Sequence, residues 1–183
     1  SAWLKGQISA RTARQLGTLG GGNHFIEVLY DEDGGVWVML HSGSRHIGKV
    51  TAEHYNGRAI EQMEARGMKA PNRDLNHLLI DSAEGRDYLA DMTWCQRYAA
   101  ANRHAMLEAV SAVLEEVTGR GPDWERAINI HHNYCSREAF TWEDPATRAE
   151  LTREVWVTRK GATSARAGQF GVIPGSMGTG SFI

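Results

Sequence analysis

The chain has 183 residues, 42% of them apolar and 23% charged, with four prolines and a formal charge of -2. That length supports one domain with a substantial core, the composition is that of a soluble globular protein, and no apolar run is long enough to span a bilayer. The near-neutral balance excludes a global electrostatic footprint for nucleic acid, and two cysteines, Cys95 and Cys135, exclude a disulfide framework and point to a reducing, cytoplasmic setting.

The chain opens on Ser1 and closes on "GSMGTGSFI", which reads as an excerpt of a longer protein; residues 1–183 are expected to form a single unit. In chain order, the first signal is "LGTLGGGNHFIEV" at 16–28, where three glycines precede Asn23, His24 and an apolar run. Residues 24–30 and 36–41 are β-type, and "DEDGG" between them supplies turn chemistry, so 24–41 reads as a hairpin with both faces buried. A turn centred on Asp31 to Gly34 pairs Tyr30 with Gly35, Val28 with Trp37, Ile26 with Met39 and His24 with His41. That register brings two imidazoles to the open end of the hairpin.

A helical pattern follows over Thr51 to Gly67, and a longer helix runs from about Glu84 to Thr118. In the longer one Leu89, Met92, Cys95, Ala99, Met106, Val110, Val113 and Val117 recur at three- and four-residue steps, and Gly119 offers a stop. "AINIHHNY" reads as a short strand ending on a polar cluster, and Val155 to Thr158 as another leading into "TRKGATSARAG". The last segment, "GVIPGSMGTGSFI", is a glycine- and serine-rich loop between short apolar runs. The class these elements imply is α+β: a β-rich core holding the site at strand ends, with the helices of 51–118 as a lateral excursion.

Three clusters carry chemistry. Histidines stand where strands meet polar loops: His24 in "GGGNHF", His41 in "MLHSGS", and His131 with His132 in "NIHHNY". Neutral imidazole is the commonest metal ligand, so the shared placement suggests a metal centre, although each histidine taken alone reads more readily as a structural or surface one. Cys135 reads as a lone buried thiol, with a place in the metal set as the alternative. The remaining histidines, His46, His54, His77 and His104, read as structural or surface residues. Glycine loops "LGGGNH", "HSGSRHIG" and "PGSMGTGS" have the composition of backbone-amide nests for phosphate. Arg159, Lys160 and Arg166, with Arg45, gather cations on loops suited to a phosphodiester backbone, or to an ordinary solvated surface. Glu27, inside an apolar strand, is a candidate ligand-recognition group.

"LGTLGGGNHFIEV", "HSGSRHIG", "INIHHNY", "TRKGATSARAG" and "GVIPGSMGTGSF" occur in this order in the RtcB-type RNA-splicing ligases, which the chain resembles over nearly its whole length. The resemblance implies a Mn2+- and GTP-dependent enzyme joining RNA 3'-phosphate or 2',3'-cyclic phosphate ends to 5'-hydroxyl ends. A histidine is guanylylated, GMP passes to the RNA 3'-phosphate as RNA-(3')pp(5')G, and the 5'-hydroxyl attacks. Carried over by position, His24, His41 and His132 are the manganese ligands of a site that takes two ions. Asn23, His24, Phe25, Ile26, Glu27, His132, Asn133, Pro174, Gly175, Ser176, Met177 and Ser181 match the guanine-nucleotide contacts. The family's D-x-x-C motif lies upstream of this stretch and its H-G-A-G-R motif, with the GMP-accepting histidine, downstream. The resemblance therefore implies that the chain alone does not guanylylate. Its partners would be RNA, whether tRNA halves or other broken RNA, and GTP, with a helper protein such as archease among those the family admits. "SREAFTWEDPATRAELTREVW" looks longer than in many members, and Phe140 stands where a histidine is common. Two other functions suit the same residues: a non-catalytic nucleotide- or RNA-binding module of this fold, and a metal-dependent phosphoesterase.

Overall fold

The computed structural model describes residues 1–72, 75–176 and 178–183, and the fold is α+β. The chain divides into two compact units, Ser1–Glu125 and Arg126–Ile183. In the first unit two short helices, α1 (Ala2–Gln7) and α2 (Ala10–Arg14), precede a hairpin of β1 (Phe25–Tyr30) and β2 (Val36–His41). Two long helices follow, α3 (Ile47–Ala65) and α4 (Ala83–Thr118). The second unit is built on a hairpin of β3 (Asn133–Glu143) and β4 (Glu150–Lys160).

Helix α4 begins and ends where the sequence indicates. The Ser82 side chain accepts a hydrogen bond from the Gly85 N–H at its start, and Gly119, in the left-handed conformation, donates to the Glu115 carbonyl at its end. Helix α3 buries a stripe at four-residue steps, Ile47, Thr51, Tyr55, Ala59 and Met63, against α4. The Tyr55 hydroxyl donates to Asp91 at 2.7 Å, and Thr51 lies 3.5 Å from the Cys95 sulfur. Leu4, Ile47 and Cys95 form the centre of the core, with Trp3, Val50, Trp94 and Tyr98 packed around them. Within the α+β class, the buried apolar side chains thus come from helices, where the sequence suggested a β-rich core. The packing stripe of α4 is also shorter than its periodicity implies: Val113 is 60% and Val117 79% exposed. No helix among the described residues is long and apolar enough to cross a membrane.

The first hairpin exists, but its register differs by one residue from the expected pairing. Phe25 faces His41, Ile26 faces Leu40, Glu27 faces Met39, Leu29 faces Trp37 and Tyr30 faces Val36. The turn sets this register. Asp31 and Gly35 close a three-residue loop through Asp31 N–H to Gly35 O (3.0 Å), and Asp31 Oδ1 takes the Gly35 N–H. Gly34 adopts a φ of +78°, which a turn of this length requires of its last residue. A further correction concerns burial: Val28 and Tyr30 on β1 and Val36 on β2 are exposed, so on β1 only the face bearing Phe25, Glu27 and Leu29 is covered, while Val38 and Leu40 on the other face are half-buried.

Helix α3 starts at Ile47, four residues ahead of the expected Thr51, because "HSGSRHIG" supplies its own entry: Ser44 Oγ accepts from the Gly48 N–H at 3.0 Å. In the second unit the apolar run before His131 is not a strand. Pairing starts at Asn133, opposite Lys160, and extends for eleven residues to Glu143 opposite Glu150. A strand needs a partner for its backbone groups, and β4 reaches back only as far as Lys160. Asp144 closes the far end, donating its N–H to Ala149 O and accepting the Ala146 N–H on its side chain, both at 2.8 Å. The turn and longer strands of this hairpin account for the segment 136–156.

Candidate functional site

Two glycine loops of the first unit meet beneath the open end of the β1–β2 hairpin, and α4 holds them together. Asn102, with 0% of its surface exposed, stands on α4 between Ala99 and Met106. Its amide nitrogen donates to Thr18 O (3.2 Å), Ser42 Oγ (3.0 Å) and Gly43 O (3.3 Å), and its Oδ1 accepts the Thr18 N–H at 3.1 Å. One side chain therefore fixes both "GTLGGG" and "HSGS". The adjacent Arg103 donates to Ser42 O at 3.3 Å, and burial lowers the pKa of its guanidinium from the ordinary arginine value. Sequence analysis missed both. The signal was present for Asn102: it is a polar residue in the apolar stripe Cys95, Ala99, Met106, where an unpaired amide would be costly.

Within this frame the His24 ring is oriented by the glycine loop. Its Nδ1 lies 2.8 Å from Leu19 O. A carbonyl oxygen only accepts, so Nδ1 carries the proton and the lone pair of the neutral ring sits on Nε2, which faces Gly43. Ser42 Oγ donates to the same Leu19 carbonyl at 2.9 Å. Despite the shifted register, the His24 and His41 rings lie 5.5 Å apart, because His24 precedes β1 and is not bound to the pleat. The Phe25 ring stacks on His41 at 5.9 Å. Phe25, Glu27 and His41 share one face of the hairpin; Ile26 belongs to the other and is 41% exposed, and Asn23 is exposed in the loop.

Gly20 explains part of the glycine run. Its φ is +88°, and a Cβ built there would lie 1.7 Å from Arg45 Nη1. The guanidinium of Arg45 lies against that backbone and its Nε donates to Thr18 Oγ1 at 3.1 Å. Arg45, expected among the RNA-binding cations, thus braces the glycine loop. Arg45 and His46 both adopt positive φ, at 52° and 81°, conformations that are uncommon for residues other than glycine.

In the second unit, "HHN" and "RKGAT" are joined at the open end of the β3–β4 hairpin. The Ala162 N–H donates to His132 O at 2.9 Å and the Gly161 N–H to Asn133 Oδ1 at 2.8 Å; Asn133 Nδ2 lies 3.3 Å from His132 Nε2. The basic cluster is divided. Arg159 binds Glu138 through both guanidinium nitrogens and Arg166 comes within 3.5 Å of the same carboxylate, whereas Lys160 falls on the opposite face of β4. The hydrogen bonds from Arg159, then that from Ser136, hold the Glu138 carboxyl down at about 2. Farther on, the Gly175 N–H donates to Ser181 Oγ at 2.9 Å, and Ser176 pairs with Thr179, closing a narrow loop that begins at Pro174. Met177 lies outside the described residues. Cys135 is half-buried beside Thr158, and Cys95 is a buried thiol whose pKa burial raises.

The residues of the first unit fit a metal in one respect. A ring whose Nδ1–H is fixed by a carbonyl, with Nε2 free of that bond, is the arrangement that orients histidine ligands. The His24 ring, held in this way, converges with the His41 ring, while no group of three or more His, Cys, Asp or Glu side chains converges on one point among the described residues.

Comparison with known proteins defines the lineage. The family model described as "tRNA-splicing ligase RtcB" matches residues 1–183. The chain is 41% identical over 181 residues to the "RNA-splicing ligase RtcB" of Escherichia coli K12, covering 96% of this chain and 42% of that protein. It is 33% identical over 207 residues to the "tRNA-splicing ligase RtcB" of Pyrobaculum aerophilum, covering 97% of this chain and 42% of that protein. With the "RNA-splicing ligase RtcB" of Mycobacterium tuberculosis it shares 34% identity over 212 residues, with 100% of this chain and 47% of that protein covered. The chain thus spans less than half the length of these relatives, and the five motifs, the ordered glycine loops and the match along all 183 residues agree that it belongs to the RtcB family.

Proposed function

We propose that the protein carrying this chain is a cytoplasmic, GTP- and Mn2+-dependent RNA ligase. It joins RNA ends bearing a 3'-phosphate or 2',3'-cyclic phosphate to ends bearing a 5'-hydroxyl, and the histidine that accepts GMP lies outside residues 1–183. The observation that carries the reading is the His24–His41 pair, seated on two glycine loops that Asn102 ties together, in a chain of this family. His24, His41 and His132 would hold the metal, and Mn2+ there would supply positive charge against a triphosphate and Lewis acidity toward a hydroxyl. The chain's own residues do the orienting. Leu19 O keeps the His24 proton on Nδ1, and Ser42 supports that carbonyl. The Asn23–Glu27 stretch, Asn133 and the loop of Pro174, Gly175, Ser176, Met177 and Ser181 would line the guanine nucleotide. Arg159, Arg166 and Lys160 would meet RNA phosphates, and archease or a similar helper would assist turnover.

The test is intact mass after incubation with GTP and Mn2+, on this chain and on a version extended at both ends. One GMP adduct is expected on the extended chain alone. An adduct on the short chain would make a histidine within it the acceptor, and an adduct on neither would overturn the ligase reading.

A further inference from the structure

The β3–β4 hairpin has a face that the proposed chemistry leaves unused. Directly opposed residues of an antiparallel pair share a face. Tyr134 with Arg159, Phe140 with Arg153 and Trp142 with Leu151 therefore lie on one side, while the pairs Glu143–Glu150 and Ala139–Glu154 lie on the other. On the first side aromatic rings and guanidinium groups interleave. Arg159 sits over the Tyr134 ring at 5.7 Å and Arg153 over the Trp142 ring at 5.9 Å. Phe140 and Trp142 stack with centroids 6.0 Å apart and planes 24° from parallel. Phe140 is 53% exposed. Of the carboxylates on the two strands, only Glu138 shares this side, and Arg159 neutralises it.

We propose that this face binds a single-stranded segment of the RNA substrate, with bases stacking on Phe140 and Trp142 and a phosphate meeting Arg153. The inference rests on the RNA-joining reading above and adds to it a surface within the hairpin. Every base has a π face, so aromatic platforms interleaved with arginine take single strands with little regard to sequence. Charge favours RNA as the occupant. Arg153 and Arg159 stand among these aromatics with Glu138 as the one carboxylate beside them, whereas Glu143, Glu150 and Glu154 lie on the opposite face with Arg137 and Lys160, so the first face is the less acidic one for a phosphodiester chain.

The test uses the full-length protein that carries this chain. Phe140→Ala, Trp142→Ala and Arg153→Ala are compared with wild type and with the conservative Phe140→Tyr and Trp142→Phe. Anisotropy reads the affinity for a labelled single-stranded RNA ending in a 3'-phosphate, and intact mass reads the GMP adduct. Each alanine at an aromatic position is expected to weaken RNA binding about tenfold or more, with the adduct unchanged and most of the affinity kept by the conservative variants. Arg153→Ala is expected to reduce the slope of log affinity against log salt by about 0.7. Unchanged affinity in both aromatic variants overturns the proposal, as does a face already covered by protein in the full-length molecule, seen as no cross-link between Trp142 and 4-thiouridine RNA. If an alanine variant loses its adduct through misfolding, the salt slope of Arg153→Ala decides. Absence of an adduct on the wild type would defeat the ligase reading separately, because the affinity measurement does not depend on it.

Discussion

Replacing Asn102 with alanine probes the joint on which the candidate site depends. The side chain is fully enclosed and serves four partners on two loops: the Thr18 N–H and carbonyl, Ser42 Oγ and the Gly43 carbonyl. Alanine removes all of these bonds at once. Ser42 keeps its bond to Leu19 O and the Thr18 N–H keeps a bond to Gln15 O at 3.3 Å, so the cost is that of the bonds lost by Thr18, Ser42 and Gly43, about 0.5–1.5 kcal/mol each. With the space vacated by the amide, the loss comes to about 2–4 kcal/mol, a large fraction of the stability of an ordinary domain. Asn102→Asp separates hydrogen bonding from packing. It preserves volume and the acceptor for Thr18 N–H, yet sets a carboxylate oxygen against two carbonyls, so it should be no more stable than alanine. Urea unfolding measures both variants, and the His24 imidazole resonances report whether the Leu19 contact survives. A loss below about 1 kcal/mol for Asn102→Ala, or an aspartate variant clearly more stable than the alanine one, would refute this account of the loops.

Two further outcomes follow from the geometry. Gly20→Ala should cost about 1–2 kcal/mol from its positive φ alone and more from displacing Arg45, whereas Gly21→Ala, which meets nothing within 4 Å, should be nearly silent; thermal melts of the pair check this, and equal effects would contradict it. For Glu138, the folded value of about 2 lies below the ordinary 4.5. Its ion pair with Arg159 therefore contributes stability that is fully present above about pH 4.5 and lost as pH falls through about 2. Carbon-13 NMR of the Glu138 carboxyl should show that low midpoint, and Arg159→Ala should raise it; a midpoint near 4.5 in the wild type would contradict the pairing.

Elements carried by local pattern were legible in the sequence. Helix α4 shows why: Ser82, the three- and four-residue apolar steps and Gly119 all act within a turn or two of themselves. The first hairpin was legible as a hairpin but not in register, since one side-chain bond from Asp31 and the φ of Gly34 decide the loop length and hence every pair. The apolar run before His131 failed for the opposite reason: alternation marks a face that a strand would have, but only a partner makes the strand, and β4 ends at Lys160. Equally, an apolar strand does not show whether something covers both faces, so Val28 and Tyr30 gave no hint of their exposure.

The candidate site was legible in its residue types and less so in its supports. His24 and His41 come together as their strand-end placement suggested, although the opposed pairing used to argue for it does not exist. What joins them is a framework with no local signature. Asn102 lies 84 residues from Thr18 and 60 from Ser42, and nothing near it in sequence says which backbone groups it satisfies. The glycine run makes the same point from the other side. Its three members look equivalent in "GGG", but only Gly20 has an arginine guanidinium against its backbone, and only Gly20 and Gly22 adopt positive φ. Room at Gly20 lets Arg45 brace the loop, the braced loop presents Leu19 O, and Leu19 O sets the proton on His24. The orientation and tautomer of the His24 ring are here decided three contacts away, by the absence of a Cβ.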